Sequence, residues 1–169
     1  MHFSIETKVT SRGHLHVAND WQVAVDLEEQ MTFPPEIAVT ELRPDMVMWS
    51  CSAKYVILGE LTVPWEENIQ AAHEFKALKY TDLVSTCKER GWKVDYYPVE
   101  VGCRGFAPRS LHTFLTMLGL ARRKRRRLVE ELLTTATRSS AWIWNKYQSD
   151  AKNQLVVAFN DAAGPPPVT

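Results

Sequence analysis

The sequence predicts an α/β fold: a mixed central sheet flanked by helices, in a single domain. Three observations point there. Four short runs have strand character, namely Trp21–Leu27, Glu41–Trp49, Tyr55–Val63 and Trp92–Val101. Between and after them, apolar residues recur every three or four positions, the period of an α-helix. The run Tyr55-Val56-Ile57-Leu58-Gly59 is apolar on both faces, as expected of an inner strand covered by helices on each side.

The elements follow in chain order. Residues 1–20 are polar and mixed, and His14 and His16 in Gly-His-Leu-His read as exposed loop or strand surface, with no third ligand in sight. In Trp21–Leu27, Val23 and Val25 alternate with Ala24 and Asp26; Asp26 could be an extra acid for a site but is expected at a strand end facing solvent. Pro34-Pro35 marks a loop. Residues Ser50–Lys54 suit a hairpin between the second and third strands. In the third strand, Ile57, Leu61 and Val63 share one face, and Val56 and Leu58 accompany Glu60 on the other.

Pro64 ends that strand, and Trp65-Glu66-Glu67 opens a helix with acids in its first turn, where the helix dipole favours them. The helix is expected to run to about Arg90, with Gly91 as its stop. Ile69, Ala72, Lys76, Lys79, Leu83 and Cys87 fall on one of its faces. Pro98 marks Trp92–Val101 as an edge or bulged strand, and Glu100, alternating with Val99 and Val101, is expected to point away from the core as an exposed carboxylate, with a third acid in the cleft as the alternative. Gly102-Cys103-Arg104-Gly105 is a turn whose backbone could approach a phosphate. A short helix over Ser110–Leu118 is broken by Gly119. A longer one over Leu120–Tyr147 should bury Ala121, Leu128, Leu132, Ala136, Ile143 and Tyr147. Leu155–Phe159 suggests a short strand, and the stretch from Asn160 with Pro165-Pro166-Pro167 has the composition of a disordered tail. The domain is thus expected over residues 21–150, between a polar segment (1–20) and a largely disordered tail (151–169).

Composition narrows the function classes. A chain of 169 residues, 45% hydrophobic and 24% charged, is long enough for one globular domain with a substantial core. The formal net charge is zero, so the molecule is no polycation and any nucleic-acid contact must come from local clustering. No apolar run reaches the length of a membrane span, and residues 1–20 lack the apolar core of a signal peptide. Cys51, Cys87 and Cys103 have neither zinc-site nor paired-disulfide spacing, so a reducing intracellular compartment is expected.

Chemistry concentrates in Arg43–Tyr80. Asp45 and Glu60 sit in or beside two apolar runs, where a carboxylate is costly unless cations or hydrogen bonds compensate it. The fourteen residues between them suffice for a strand, a tight turn and a second strand, which would bring both acids to one level of the sheet. Such a pair suits Mg²⁺, which takes one or two protein carboxylates and leaves its other positions to water and phosphate. Lys76 and Lys79 lie on the helical stripe expected to face the sheet, and either could orient an attacking water; periodicity does not separate them. Further on, Arg122, Arg123, Lys124, Arg125, Arg126 and Arg127 crowd the start of the long helix. Cations there oppose the helix dipole, and DNA phosphate contacts would offset that cost. The same run also reads as a solvated basic face or a nuclear-import signal.

The series Arg43-Pro44-Asp45, Glu60, Thr62-Val63-Pro64 and Lys76-x-x-Lys79-Tyr80 resembles the restriction-like endonuclease domain of site-specific non-LTR retrotransposons. More broadly, it is similar to the PD-(D/E)xK nuclease superfamily. The resemblance implies a restriction-endonuclease-like fold, Asp45 and Glu60 as ligands of Mg²⁺ or Mn²⁺, and Lys76 or Lys79 as the catalytic lysine. Lys76 and Tyr80 also match the spacing of a glutamine and tyrosine motif on the equivalent helix of some members, and Val99–Phe106 is similar to the end of the domain. The chain departs from the pattern in two places: Glu60 stands where the retroelement domains usually have Asp, and Thr62 where many superfamily members have Lys. The implied reaction is metal-dependent DNA strand cleavage, by a chain that looks like a fragment or free-standing relic of a longer element protein, with the rest of that protein as a possible partner. Two other classes stay open: a DNA-binding module of the same fold that has lost catalysis, and a protein-interaction domain in which both acids make structural salt bridges.

Overall fold

The computed structural model describes residues 13–26 and 31–162. Its centre is a four-stranded sheet of β1 (Gln22–Val25), β2 (Met46–Ser50), β3 (Tyr55–Thr62) and β4 (Lys93–Glu100), in that spatial order. The first three strands pair antiparallel, and β4 joins β3 in parallel. A parallel neighbour needs a crossover, and α1 (Ile69–Lys79) and α2 (Thr81–Glu89) supply it. After the sheet come α3 (Arg109–Met117) and α4 (Arg122–Ala162). The chain is therefore one α/β domain with a mixed sheet flanked by helices, as the strand and helix patterns indicated.

Alternation along β3 sorts the core into two layers. Val56 and Leu58 pack with Tyr80, Leu83, Cys87, Trp92 and Val94 under the crossover helices. Tyr55 and Ile57 pack with Val99, Leu111, Phe114 and Leu115 under α3 and α4. Glu60, two residues beyond Leu58, shares the crossover face. Pro98 lies on β4, an edge strand, where its missing N–H leaves no gap in an inner ladder. Gly91, with φ +82, ends α2 in the left-handed conformation glycine adopts freely.

Several details depart from the sequence reading. The helix expected over 66–90 is a 3₁₀ turn at Glu66–Asn68 followed by two helices that break at Tyr80. The break turns the Tyr80 ring wholly into the core. The long helix continues through Leu155–Phe159, so no strand forms there, and the end of the expected disordered tail, 163–169, lies outside the described residues. Its buried stripe holds only where the domain is beneath it. Leu132 and Ala136 pack into the core, whereas Leu128 is 37%, Ile143 60% and Tyr147 68% exposed. His14 is no surface residue: its ring bonds to the Tyr97 hydroxyl at 2.8 Å and to the buried Tyr55 hydroxyl. All three cysteines are free thiols.

Candidate active site

The antiparallel register that pairs Met46 with Gly59 carries one step further to set Asp45 across from Glu60. The two are joined directly: the Asp45 N–H donates to Glu60 Oε2 at 3.2 Å, and the Leu61 N–H donates to Asp45 Oδ2 at 2.6 Å. Glu60 is 2% exposed, and a carboxylate that deep needs compensation. It receives it from the crossover helices. The Lys76 ammonium forms a close ion pair with Oε1, Lys79 lies 3.4 Å from the same oxygen, and the Tyr80 hydroxyl donates to Oε2 at 2.9 Å. Tyr80 also lies 3.0 Å from the Arg43 carbonyl, which ties the helix break to the loop before β2.

These surroundings drive the two acids apart. Burial pushes Glu60 upward, but hydrogen bonds from Lys76 and Tyr80 and the charges of Lys76 and Lys79 outweigh it and hold the group below the usual carboxylate range. For Asp45, burial is the largest influence; the Leu61 N–H opposes it, the Glu60 charge adds to it, and the group ends above its ordinary value. A carboxylate pair with opposed shifts is a common mark of acid–base or metal chemistry, although structural ion pairs produce it too.

Both lysines therefore turn inward rather than out to solvent, and the structure separates them. Lys76 makes the closer contact and its side chain is 21% exposed, against 37% for Lys79, whose ammonium sits 4.7 Å from the Tyr80 ring centre. A pocket of about 470 Å³ opens over the centre, lined by Asp45, Glu60, Lys76, Lys79, Arg43, Asp26 and Glu41. Asp26 follows the end of β1 as expected, but it is half-buried and lines this pocket, the other of the two places the sequence allowed it.

Asp45 and Glu60 are the residues that could hold a hard divalent cation. Two carboxylates suffice where water and phosphate complete the shell. Among the described residues no third His, Cys, Asp or Glu joins the pair as a ligand cluster. At Glu60 Oε1 a cation would have to displace the ammonium of Lys76. Thr62 buries an Oγ1 that has no hydrogen-bond partner.

The other sequence-predicted residues lie elsewhere. Arg122–Arg127 form the first turns of α4, a helix whose Val129, Leu132 and Ala136 pack on the sheet face opposite the one Glu60 occupies. Arg126 and Arg127 pair with Glu130 and Glu131 one turn on, and Arg125 bonds to the Thr116 hydroxyl. Local acids thus offset part of the charge placed against the dipole. In the Gly102–Gly105 turn, the Arg104 N–H is taken by Glu66 at 2.9 Å rather than left open for a phosphate. Glu100 is 1% exposed, not solvent-facing. The reason is register: Glu100 lies beside Thr62, on the face that also holds Glu60.

No family model matches the chain, and no curated protein matches it. Among the described residues, no helix is long and apolar enough to cross a membrane.

Proposed function

We propose that the chain is a metal-dependent DNA endonuclease domain of the restriction-endonuclease-like type, derived from a non-LTR retrotransposon. The observation that carries this reading is the pairing of Asp45 with Glu60 across two strands, with the Lys76 ammonium on Glu60. In this reading Asp45 and Glu60 hold Mg²⁺ or Mn²⁺, which polarises the phosphodiester and lowers the pKa of a bound water. Tyr80 and the Asp45 N–H fix the Glu60 carboxylate. With Asp45 and Glu60 engaged by the ion, Lys76 would orient the attacking water and Lys79 would supply a second positive charge beside the phosphate. Arg122–Arg127 contribute salt-dependent, sequence-independent contacts to duplex phosphates, and they suit nuclear import.

A second reading is a DNA-binding module of the same fold without catalysis. Thr62 at the superfamily lysine position and the four donors already on Glu60 favour it. If, instead, the ion pairs serve only stability, the chain is a protein-interaction domain. Nicking of supercoiled plasmid with Mg²⁺ or Mn²⁺ separates these. The nuclease reading expects cleavage by the native chain and none by folded Asp45→Ala or Lys76→Ala/Lys79→Ala. Binding without cutting supports the second reading, and no binding at low salt leaves the third.

A further inference from the structure

α1 has an inverted polarity. None of its residues is buried, in contrast to α2, which buries Leu83 and Cys87, and α3, which buries Leu111, Phe114 and Leu115. Its large apolar side chains point outward, Phe75 at 67% and Leu78 at 75% exposure. Its half-buried residues are three small or modest apolar ones, Ile69, Ala72 and Ala77, together with His73 and Lys76. Hydrophobic burial is the usual anchor of a helix on a sheet, and here it is confined to side chains that stay half-exposed. Specific polar links therefore carry a larger share of its anchoring than on α2 or α3.

Those links are few and can be named. Lys76 and Lys79 bind Glu60. The Tyr96 hydroxyl donates to the Lys76 carbonyl at 2.8 Å. One turn earlier, His73 Nδ1 lies 3.0 Å from Glu100 Oε1. A carboxylate can only accept, so the imidazole donates. Glu100 is itself immobilised from the other side. The Ser110 hydroxyl, in the first turn of α3, donates to Oε2, and the Glu100 N–H lies 3.4 Å from the same hydroxyl oxygen. A cavity of about 490 Å³, bordered by Ile69, His73, Glu100 and Arg109, opens beside the contact.

We propose that Glu100 and His73 are positioning residues: their contact clasps α1 to β4 and so fixes Lys76 against Glu60. The clasp itself stands on the geometry of α1, whereas its consequence for catalysis rests on the nuclease reading above. It acts through helix placement and touches no reacting atom. A link between a donor and a charged acceptor is among the stronger hydrogen bonds available to a side chain. Losing it should free one helix rather than unfold the domain.

The test is hydrogen exchange on the full chain, resolved to α1, α2 and β3, for native protein, His73→Ala and His73→Gln. The His73 side chain is 40% exposed, so its truncation leaves no buried cavity. The expected result is about tenfold faster exchange confined to α1 in His73→Ala, with most of the protection restored by His73→Gln, whose amide can still donate to Glu100. In a nicking assay the same Ala variant should lose kcat by a similar factor while KM for DNA stays constant. Unchanged α1 exchange, or equal acceleration in α1, α2 and β3, overturns the clasp. If the native chain does not cut but His73→Ala still loosens α1 alone, the clasp stands and the nuclease reading fails.

Discussion

Two glutamates end up buried on the same face of the sheet, and they are compensated in opposite styles. Glu60 on β3 is met by two ammonium groups, a tyrosine hydroxyl and a backbone N–H, beneath an open pocket that also holds Asp26, Glu41 and Asp45. Glu100 on β4 is met by a serine hydroxyl and an imidazole, wedged between two helices. The first has cations that a metal ion or phosphate could rearrange. The second has neighbours that join elements together. If Glu60 belongs to a reactive centre, as proposed, the difference lies in a surplus of positive charge at one carboxylate and a minimal satisfied set at the other, and α1 carries partners of both.

The sharpest way to break this contrast is at Asp45. Asp45→Ala should reduce plasmid nicking by about 10²- to 10³-fold, the loss of several kcal/mol of transition-state stabilisation, while leaving the fold intact. Equal activity in the variant would remove the metal role from this pair. Next in size is the stability difference between the two glutamates. Glu60→Gln strands the half-buried Lys76 ammonium and should cost about 3 kcal/mol in a denaturant titration. Glu100→Gln keeps groups that can serve both Ser110 and His73 and should cost about 1 kcal/mol. Comparable losses would mean that both are structural.

Acidity sharpens the same comparison, with opposite signs for the two members of the candidate centre. Glu60 is depressed in the folded state, so its contribution is present above its ordinary value of 4.5 and is lost as pH falls through the folded value. Asp45 is raised, so its ionised form costs stability above its ordinary value of 3.8, a cost relieved as pH falls through the folded value. Urea midpoints between pH 3 and 7 should therefore fall less steeply for Glu60→Gln than for the native chain. Asp45→Asn, which retains an oxygen for the Leu61 N–H, should be more stable at pH 7 by about 0.5 to 1 kcal/mol. A gain in stability with a loss of function at one residue is the trade expected of a site selected for chemistry.

The smallest effect concerns the basic helix. Replacing Arg122, Arg123 and Lys124 by Ala should flatten the slope of log affinity for duplex DNA against log salt by roughly 0.9 per contact removed. Arg126→Ala and Arg127→Ala should matter less, since each of those guanidinium groups is already paired with a glutamate.

Much of the candidate centre was legible in the sequence because its information is local. The spacing of Asp45 and Glu60 across a hairpin sets their level, and the three-and-four periodicity of Ile69, Ala72, Lys76 and Lys79 sets the helix face. The strand alternation that grouped Val56 and Leu58 with Glu60 also carried over into the structure. Glu100 was not legible, because its burial depends on a parallel register and on Ser110 arriving from another helix. The break at Tyr80 lacked any glycine or proline signal, and the apolar stripe runs straight through it. On α4 the periodicity reaches Ile143 and Tyr147, but periodicity records a helical face and not how far the domain extends beneath it.

The central claim, that Asp45 and Glu60 form a cation site, is tested most directly by Mn²⁺ binding, read from the loss of the free-ion paramagnetic resonance signal in native chain and Asp45→Asn. The account predicts saturable binding of Mn²⁺ to the native chain, displaced by Mg²⁺, and at least tenfold weaker binding to the variant. Equal binding by the two proteins, or none by the native chain in the presence of duplex DNA, would contradict it.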